Sequence, residues 1–221
     1  MTFKNKIFLD ITMTISMITL MGYHIFLEII HEWVGLCLFV MFIFHQIINK
    51  RWYSNLNKGK YKNIRLFQTI INVLLIVTTF LAVVSGMTMS KYIFSFQFMI
   101  NISREVHMIT TSWLFILLGL HAGMHVVMIS NFIKKNELSL VLRRIMNCIL
   151  LGSSLYGGIV FFKRGLYKNM FALESFQFLP YGENPIIYFI DYICLFLCFM
   201  FIAYGIQALM KKVTKVHADK K

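Results

Sequence analysis

HEWVGLCLFVMFIFH, residues 31–45, opens and closes on histidine, and HMITTSWLFILLGLH, residues 107–121, repeats the same interval of fourteen residues. At about 100° and 1.5 Å per residue, fourteen helical steps turn about 1400°, roughly 40° short of four full turns, and climb about 21 Å. Read as a helix, each stretch therefore carries two imidazoles on nearly one face, one near each end. Between them the face of the first helix reads His31, Gly35, Leu38, Phe42, His45, and that of the second His107, Thr111, Leu114, Leu118, His121. An apolar stripe at this spacing is ordinary helix packing; two stripes bounded by histidines at one spacing are not.

The rest of the chain supplies the setting. Its 221 residues are 58% hydrophobic and 14% charged, with only two prolines, too much apolar surface for one soluble core. About 20 apolar residues make one crossing of a bilayer, and six candidates follow: Ile7–Glu28, His31–Asn49, Leu66–Met87, His107–Ile133, Leu138–Phe162 and Ile186–Met210. The first two are nearly fused, and the polar group Glu28, His31 and Glu32 marks the expected reversal between them. The N-terminus has the basic start and apolar run of a secretory signal but no small-residue cleavage site, so it reads as a retained first helix.

With a cytoplasmic N-terminus, seventeen of the 22 lysines and arginines fall on the cytoplasmic side and only Lys91, Arg104, Lys163, Arg164 and Lys168 outside. That bias orients six crossings with both termini cytoplasmic, in the cell membrane. The net charge of +13 is thus a topology signal and an attraction to anionic lipid. No basic, aromatic-bearing platform of a nucleic-acid module is present, so nucleic acid is excluded as a partner.

Two parallel helices with imidazoles at two levels have the geometry to hold two stacked haem groups, each iron gripped by one histidine from each helix. His31 and His107 then belong to an outer haem and His45 and His121 to an inner one. Small residues near the upper ligands would let a flat macrocycle approach the backbone. His24 is a rival to His31 for the outer haem. His125, four residues past His121 on the same face, is a rival inner ligand, a supporting group, or a proton group at a quinone site. His217, in the lysine-rich tail, reads as a solvated side chain. Haem propionates need cationic partners near the surface; Arg104, one turn from His107, suits the outer haem, and Lys50, Arg51 and Arg65 the inner.

No C-x-x-C-H motif is present, which excludes covalent c-type attachment, and Cys37, Cys148, Cys194 and Cys198 read as small apolar-level side chains. Trp113 reads as core packing rather than an electron relay. The expected fold is all-α: an integral membrane bundle of six helices with a cytochrome b-like four-helix core. Its haem core spans about 7–133, additional helices about 138–210, and a basic tail 211–221. Two other functions compete. His121-x3-His125 also suits zinc or copper in a metal-ion carrier, although the carboxylates lie near helix ends. A membrane anchor would use the histidines for interhelical hydrogen bonds, but gives no reason for a duplicated spacing.

The same residues resemble the flavinylation-associated cytochrome family, bacterial membrane proteins of cytochrome b type. The matching motifs are GYHIFLEIIHEWVGL from Gly22, FHQIINKRWY from Phe44, VSGMTMSKYIFSF from Val84, REVHMITTSW from Arg104 and LHAGMHVVM from Leu120, with LYGGIVFFKR and FIDYICLF further on. The resemblance implies a haem-binding transmembrane electron conduit; the histidine spacing sets the expected cofactors at two haem b groups, with quinone as a further cofactor class. Its partner would be an extracytoplasmic flavoprotein carrying flavin mononucleotide. It adds weight to His24, His31, His45, His107, His121 and His125 as a set. The loop FQFLPYGENP is less acidic than the family pattern.

Overall fold

The computed structural model describes the backbone of residues 3–95, 98–134, 140–173 and 182–218. Among these residues there is no strand, and the elements are α1 (Phe3–Met21), α2 (Glu28–Ile48), α3 (Arg51–Asn55), α4 (Asn63–Met89), α5 (Ile100–Lys134), α6 (Leu140–Lys163), α7 (Leu166–Met170) and α8 (Pro185–Ala218). The expected start of the fifth segment at Leu138, and residues 174–181 of the outer loop, lie outside the described residues, as does the side chain of His217. Four helices are long and apolar enough to cross a membrane: α2, α4, the Ile100–Val126 part of α5 and the Pro185–Val213 part of α8. The nineteen residues of α1 include Lys4, Lys6 and Asp10, and α6 contributes a shorter apolar stretch, Asn147–Lys163.

Each long helix is held by what it buries. The core lies around α5 and α8, where Phe115, Ile116, Tyr188, Tyr192 and Leu195 meet Met17 and Ile18 of α1, Val160 of α6, and Leu166 and Met170 of α7. A second cluster joins Ile71 of α4 to Leu117 and Met124 of α5 and Ala203 of α8. Glycine permits the tightest seams. A methyl group at Gly123 would overlap the Met200 carbonyl of α8, and one at Gly157 the Cys194 carbonyl, so small residues let the backbones close on each other. Outside these seams large apolar side chains face outward, among them Phe8, Phe44, Leu155, Ile159 and Phe162, a surface suited to lipid rather than water.

Two boundaries differ from the sequence expectation. The first reversal lies at Gly22–Leu27, before Glu28, His31 and Glu32, all of which belong to the opening turns of α2. Gly22 closes that reversal: a Cβ there would press on the Tyr188 ring at 2.9 Å, while Ile25 N–H donates to the Gly22 carbonyl at 2.9 Å. The acidic residues that suggested a loop instead favour the positive end of the α2 dipole. Helix α5 begins at Ile100, two turns before His107, so that histidine sits inside its helix.

The helix neighbours define a four-sided arrangement. α1 packs on α2, α2 touches α4, α4 packs on α5 and α5 touches α1, whereas α2 and α5 have no Cα atoms within 8 Å of each other among the described residues. The two histidine-bearing helices are therefore diagonal partners across a gap, not side-by-side neighbours.

Candidate functional site: two histidine pairs across a gap

Across that gap the imidazoles meet in pairs of like depth. The ring centroids of His31 and His107 lie 6.2 Å apart, and those of His45 and His121 lie 6.4 Å apart. Two imidazoles bound to opposite sides of one metal, with a metal–nitrogen bond of about 2.0 Å and a ring radius of about 1.2 Å, put their centroids about 6.4 Å apart. An edge-to-face aromatic pair covers the same range, so distance by itself does not choose between them. The anchoring of the rings does.

His107 donates its Nδ1 proton to the Ala82 carbonyl at 2.9 Å, with Ser85 Oγ at 3.2 Å. His121 donates from Nδ1 to Asn72 Oδ1 at 2.8 Å, and His45 from Nδ1 to Asp10 Oδ1 at 2.9 Å. In all three an oxygen acceptor fixes the tautomer and leaves Nε2 with its lone pair. That is how protein surroundings prepare a metal-binding imidazole. His31 differs: its Nδ1 is buried without a hydrogen bond of good geometry. Gly86 makes room for the His107 ring, since a Cβ there would lie 3.3 Å from Cε1.

The other candidates are placed as follows. His24 lies outside the outer pair; its Nε2 meets Glu183 Oε2 at 2.7 Å and its ring stands edge-on to Tyr188 at 5.7 Å. His125 is exposed, and its ring contact is with His121 on its own helix, at 5.0 Å. Arg104 is exposed one turn before His107 and within electrostatic reach of Tyr23. Tyr23 touches the His31 ring at 5.2 Å; burial, then its hydrogen bond to Glu28, pushes its phenol up to about 12. Arg51 is exposed at the start of α3, beside exposed Lys50. Arg65 is committed to the turn between α3 and α4, where its guanidinium donates to the carbonyls of Asn55, Leu56 and Lys58 and lies over the Tyr61 ring. Trp113 packs against Phe171 and donates to the Met170 carbonyl at 3.1 Å, tying α7 to α5. The four cysteines are free thiols.

Sequence reading missed several supporting residues. Glu32 accepts from Ser90 Oγ and from the backbone N–H groups of Lys91, Tyr92 and Ile93, which ties α2 to the end of α4 just above the outer pair. A charged network joins α6 to α8. Asp191, fully buried, accepts from Arg164 Nε at 3.0 Å, Arg164 Nη2 at 2.7 Å and Tyr156 OH at 2.7 Å. Arg164 also pairs with Glu183, which holds that carboxyl below its ordinary range.

Asn72 carried a visible signal, a lone amide in an apolar run, and Gly119 and Gly123 are four apart on one face. Asp10 and the Ala82 carbonyl carried none, because their partners are distant in sequence.

No family model, curated protein or solved structure matches this chain.

A porphyrin fits the donor set. Two imidazoles are half the complement of a tetrahedral metal, and among the described residues no group of three or more histidine, cysteine or acidic side chains could hold a bare ion. A haem, whose iron is already held by its own ring, would ask for only the two imidazoles found at each level, His31 with His107 and His45 with His121.

Proposed function

We propose that the chain is a six-crossing membrane cytochrome of b type, with both termini cytoplasmic, that carries electrons between the two faces of the cell membrane through two haem groups held between α2 and α5. The observation that supports it best is the pair of facing imidazoles at each of two levels, 6.2 and 6.4 Å between centroids, on helices whose backbones stay apart. His31 and His107 hold the outer group; His45 and His121 hold the inner. In this reading Arg104 would meet the propionates of the outer group and Arg51 those of the inner.

Haem would supply a one-electron couple, and its being held by two histidines, His31 with His107 or His45 with His121, would favour electron transfer over oxygen chemistry. The chain's own residues do the rest. Ala82, Asn72 and Asp10 orient the imidazoles, Leu38, Phe42, Leu114 and Leu118 fill the interval between levels, and Glu32 fixes the outer rim. The resemblance to flavinylation-associated cytochromes supplies the acceptor in this reading, an extracytoplasmic flavoprotein, with a quinol as the inner donor class.

A dithionite-reduced minus oxidised spectrum of the purified, haem-supplied chain tests this reading. Sharp Soret and alpha bands of b type are expected; a chain that folds and shows neither is not a cytochrome.

A further inference from the structure

The two histidine pairs differ in what their Nδ1 atoms hold. In the inner pair both rings donate to side-chain oxygens: His45 to the Asp10 carboxylate at 2.9 Å and His121 to the Asn72 amide at 2.8 Å. In the outer pair His107 donates to a neutral backbone carbonyl, that of Ala82 at 2.9 Å, and His31 has no hydrogen bond of good geometry at Nδ1. We propose that Asp10 and Asn72 make the inner pair the low-potential end of the molecule, so that a single electron placed on the chain rests at equilibrium on the outer pair. The inference rests on the haem reading given above.

The physical argument concerns electron density. A hydrogen bond from the free ring nitrogen to an oxygen acceptor raises the basicity of the ligating nitrogen, and a carboxylate does so more than a carbonyl because it carries a full charge. A more basic ligand stabilises the ferric over the ferrous state and so lowers the potential. Asp10 acts on His45 through a direct hydrogen bond at 2.9 Å, although its own side chain is 54% exposed and solvent screens part of its charge. Both inner ligands are polarised in this way, against one of the two outer ligands.

Other charges oppose this ordering, and position decides their weight. Lys4, Lys6, Lys50 and Arg51 favour an electron at the inner end, but Lys4, Lys50 and Arg51 are exposed and Lys6 is half-buried, so salt, which screens over about 8 Å, weakens most of their field. Glu32, next to His31 in the chain, disfavours an electron at the outer end. Its carboxylate is turned to Ser90, Lys91, Tyr92 and Ile93, whose donors disperse its charge, and among its described hydrogen bonds none goes to a ligand ring. Arg104, exposed on the outer side, offsets it further. The contact at His45 therefore outweighs the more distant terms.

Potentiometric titration of the haem-loaded chain, read at the alpha band, tests the ordering. The wild type is expected to show two midpoints. His31→Ala or His107→Ala, which leaves only the inner haem, is expected to retain the lower. Asp10→Asn replaces the charge with a neutral amide of the same shape and is expected to raise the lower midpoint towards the higher, leaving the higher in place. Asn72→Asp is expected to move the lower midpoint further down. If Asp10→Asn sheds the inner haem, the sign of the Asn72→Asp shift and the midpoint left in His107→Ala decide.

Unchanged midpoints in Asp10→Asn, a shift confined to the higher midpoint, or survival of the higher midpoint in His107→Ala would each overturn the proposal while leaving a dihaem cytochrome standing. A chain without an alpha band fails earlier and refutes the haem reading itself, so the two failures are told apart.

Discussion

Alanine in place of His121 is expected to remove about half of the reducible haem absorbance, the inner half, and His45→Ala the same half. His31→Ala and His107→Ala are each expected to remove the other. The reason is geometric: each iron would take one ligand from α2 and one from α5, and the partner imidazole alone cannot keep the group bound against extraction. The losses should therefore not add within a pair, so His45→Ala combined with His121→Ala costs no more haem than either alone, while one substitution at each level empties the chain. His24→Ala and His125→Ala are the controls. The nearest partners of His24 are Glu183 and Tyr188, and His125 touches His121 on its own helix, so both variants are expected to keep both groups. Loss of the inner group in His125→Ala with retention in His121→Ala would reassign the ligand, and the pyridine haemochrome of each purified variant reads the outcome.

Asp191→Ala is expected to destabilise the protein by about 3 kcal/mol, the cost of breaking a buried ion pair, with Glu183 still beside Arg164 to limit the loss. Asp191 is fully buried and carries two hydrogen bonds from Arg164 and one from Tyr156, so its removal unseats the junction of α6 with α8. Thermal unfolding in detergent should show a fall on the order of 10 °C, without selective loss of either haem at low temperature. Asp191→Asn, which keeps the shape and one acceptor, should cost less. The neighbouring Glu183 gives the network an acid limit. Arg164 holds its carboxyl below the ordinary range, so the contribution of Glu183 is complete above the ordinary carboxylate pKa and is lost as pH falls through the lowered one. The stability gap between wild type and Glu183→Gln should close over that acid interval.

How much of this was legible beforehand follows from which interactions are local. The fourteen-residue interval could be read because helical phase depends on nothing outside the helix, and it places His31 with His45 and His107 with His121 on common faces. That α2 and α5 face each other diagonally was not legible, since it depends on α1 and α4 separating them. The first reversal departs from the sequence expectation for a physical reason. Glu28, His31 and Glu32 are polar enough to suggest a loop, yet they open a helix whose rim is fixed by Ser90 and the amides of Lys91, Tyr92 and Ile93, residues far along the chain. Gly22, which does close the reversal, is decided by the Tyr188 ring on the last helix.

The candidate site divides in the same way. The four imidazoles were visible because an ionisable group in an apolar run is rare, and by that logic Asn72 could have been singled out as well. The Ala82 carbonyl could not: a backbone oxygen carries no sequence signature, and its availability to His107 depends on how α4 packs on α5, with Gly86 giving the ring its room.

Counting haem against protein tests the central claim most directly, that facing imidazoles at two levels each hold one iron porphyrin. Acid–acetone extraction followed by a pyridine haemochrome assay, set against quantitative amino-acid analysis of the same sample, is expected to give about two extractable haem b groups per chain. One group per chain would leave one of the two imidazole pairs without its haem, and none would contradict the account altogether.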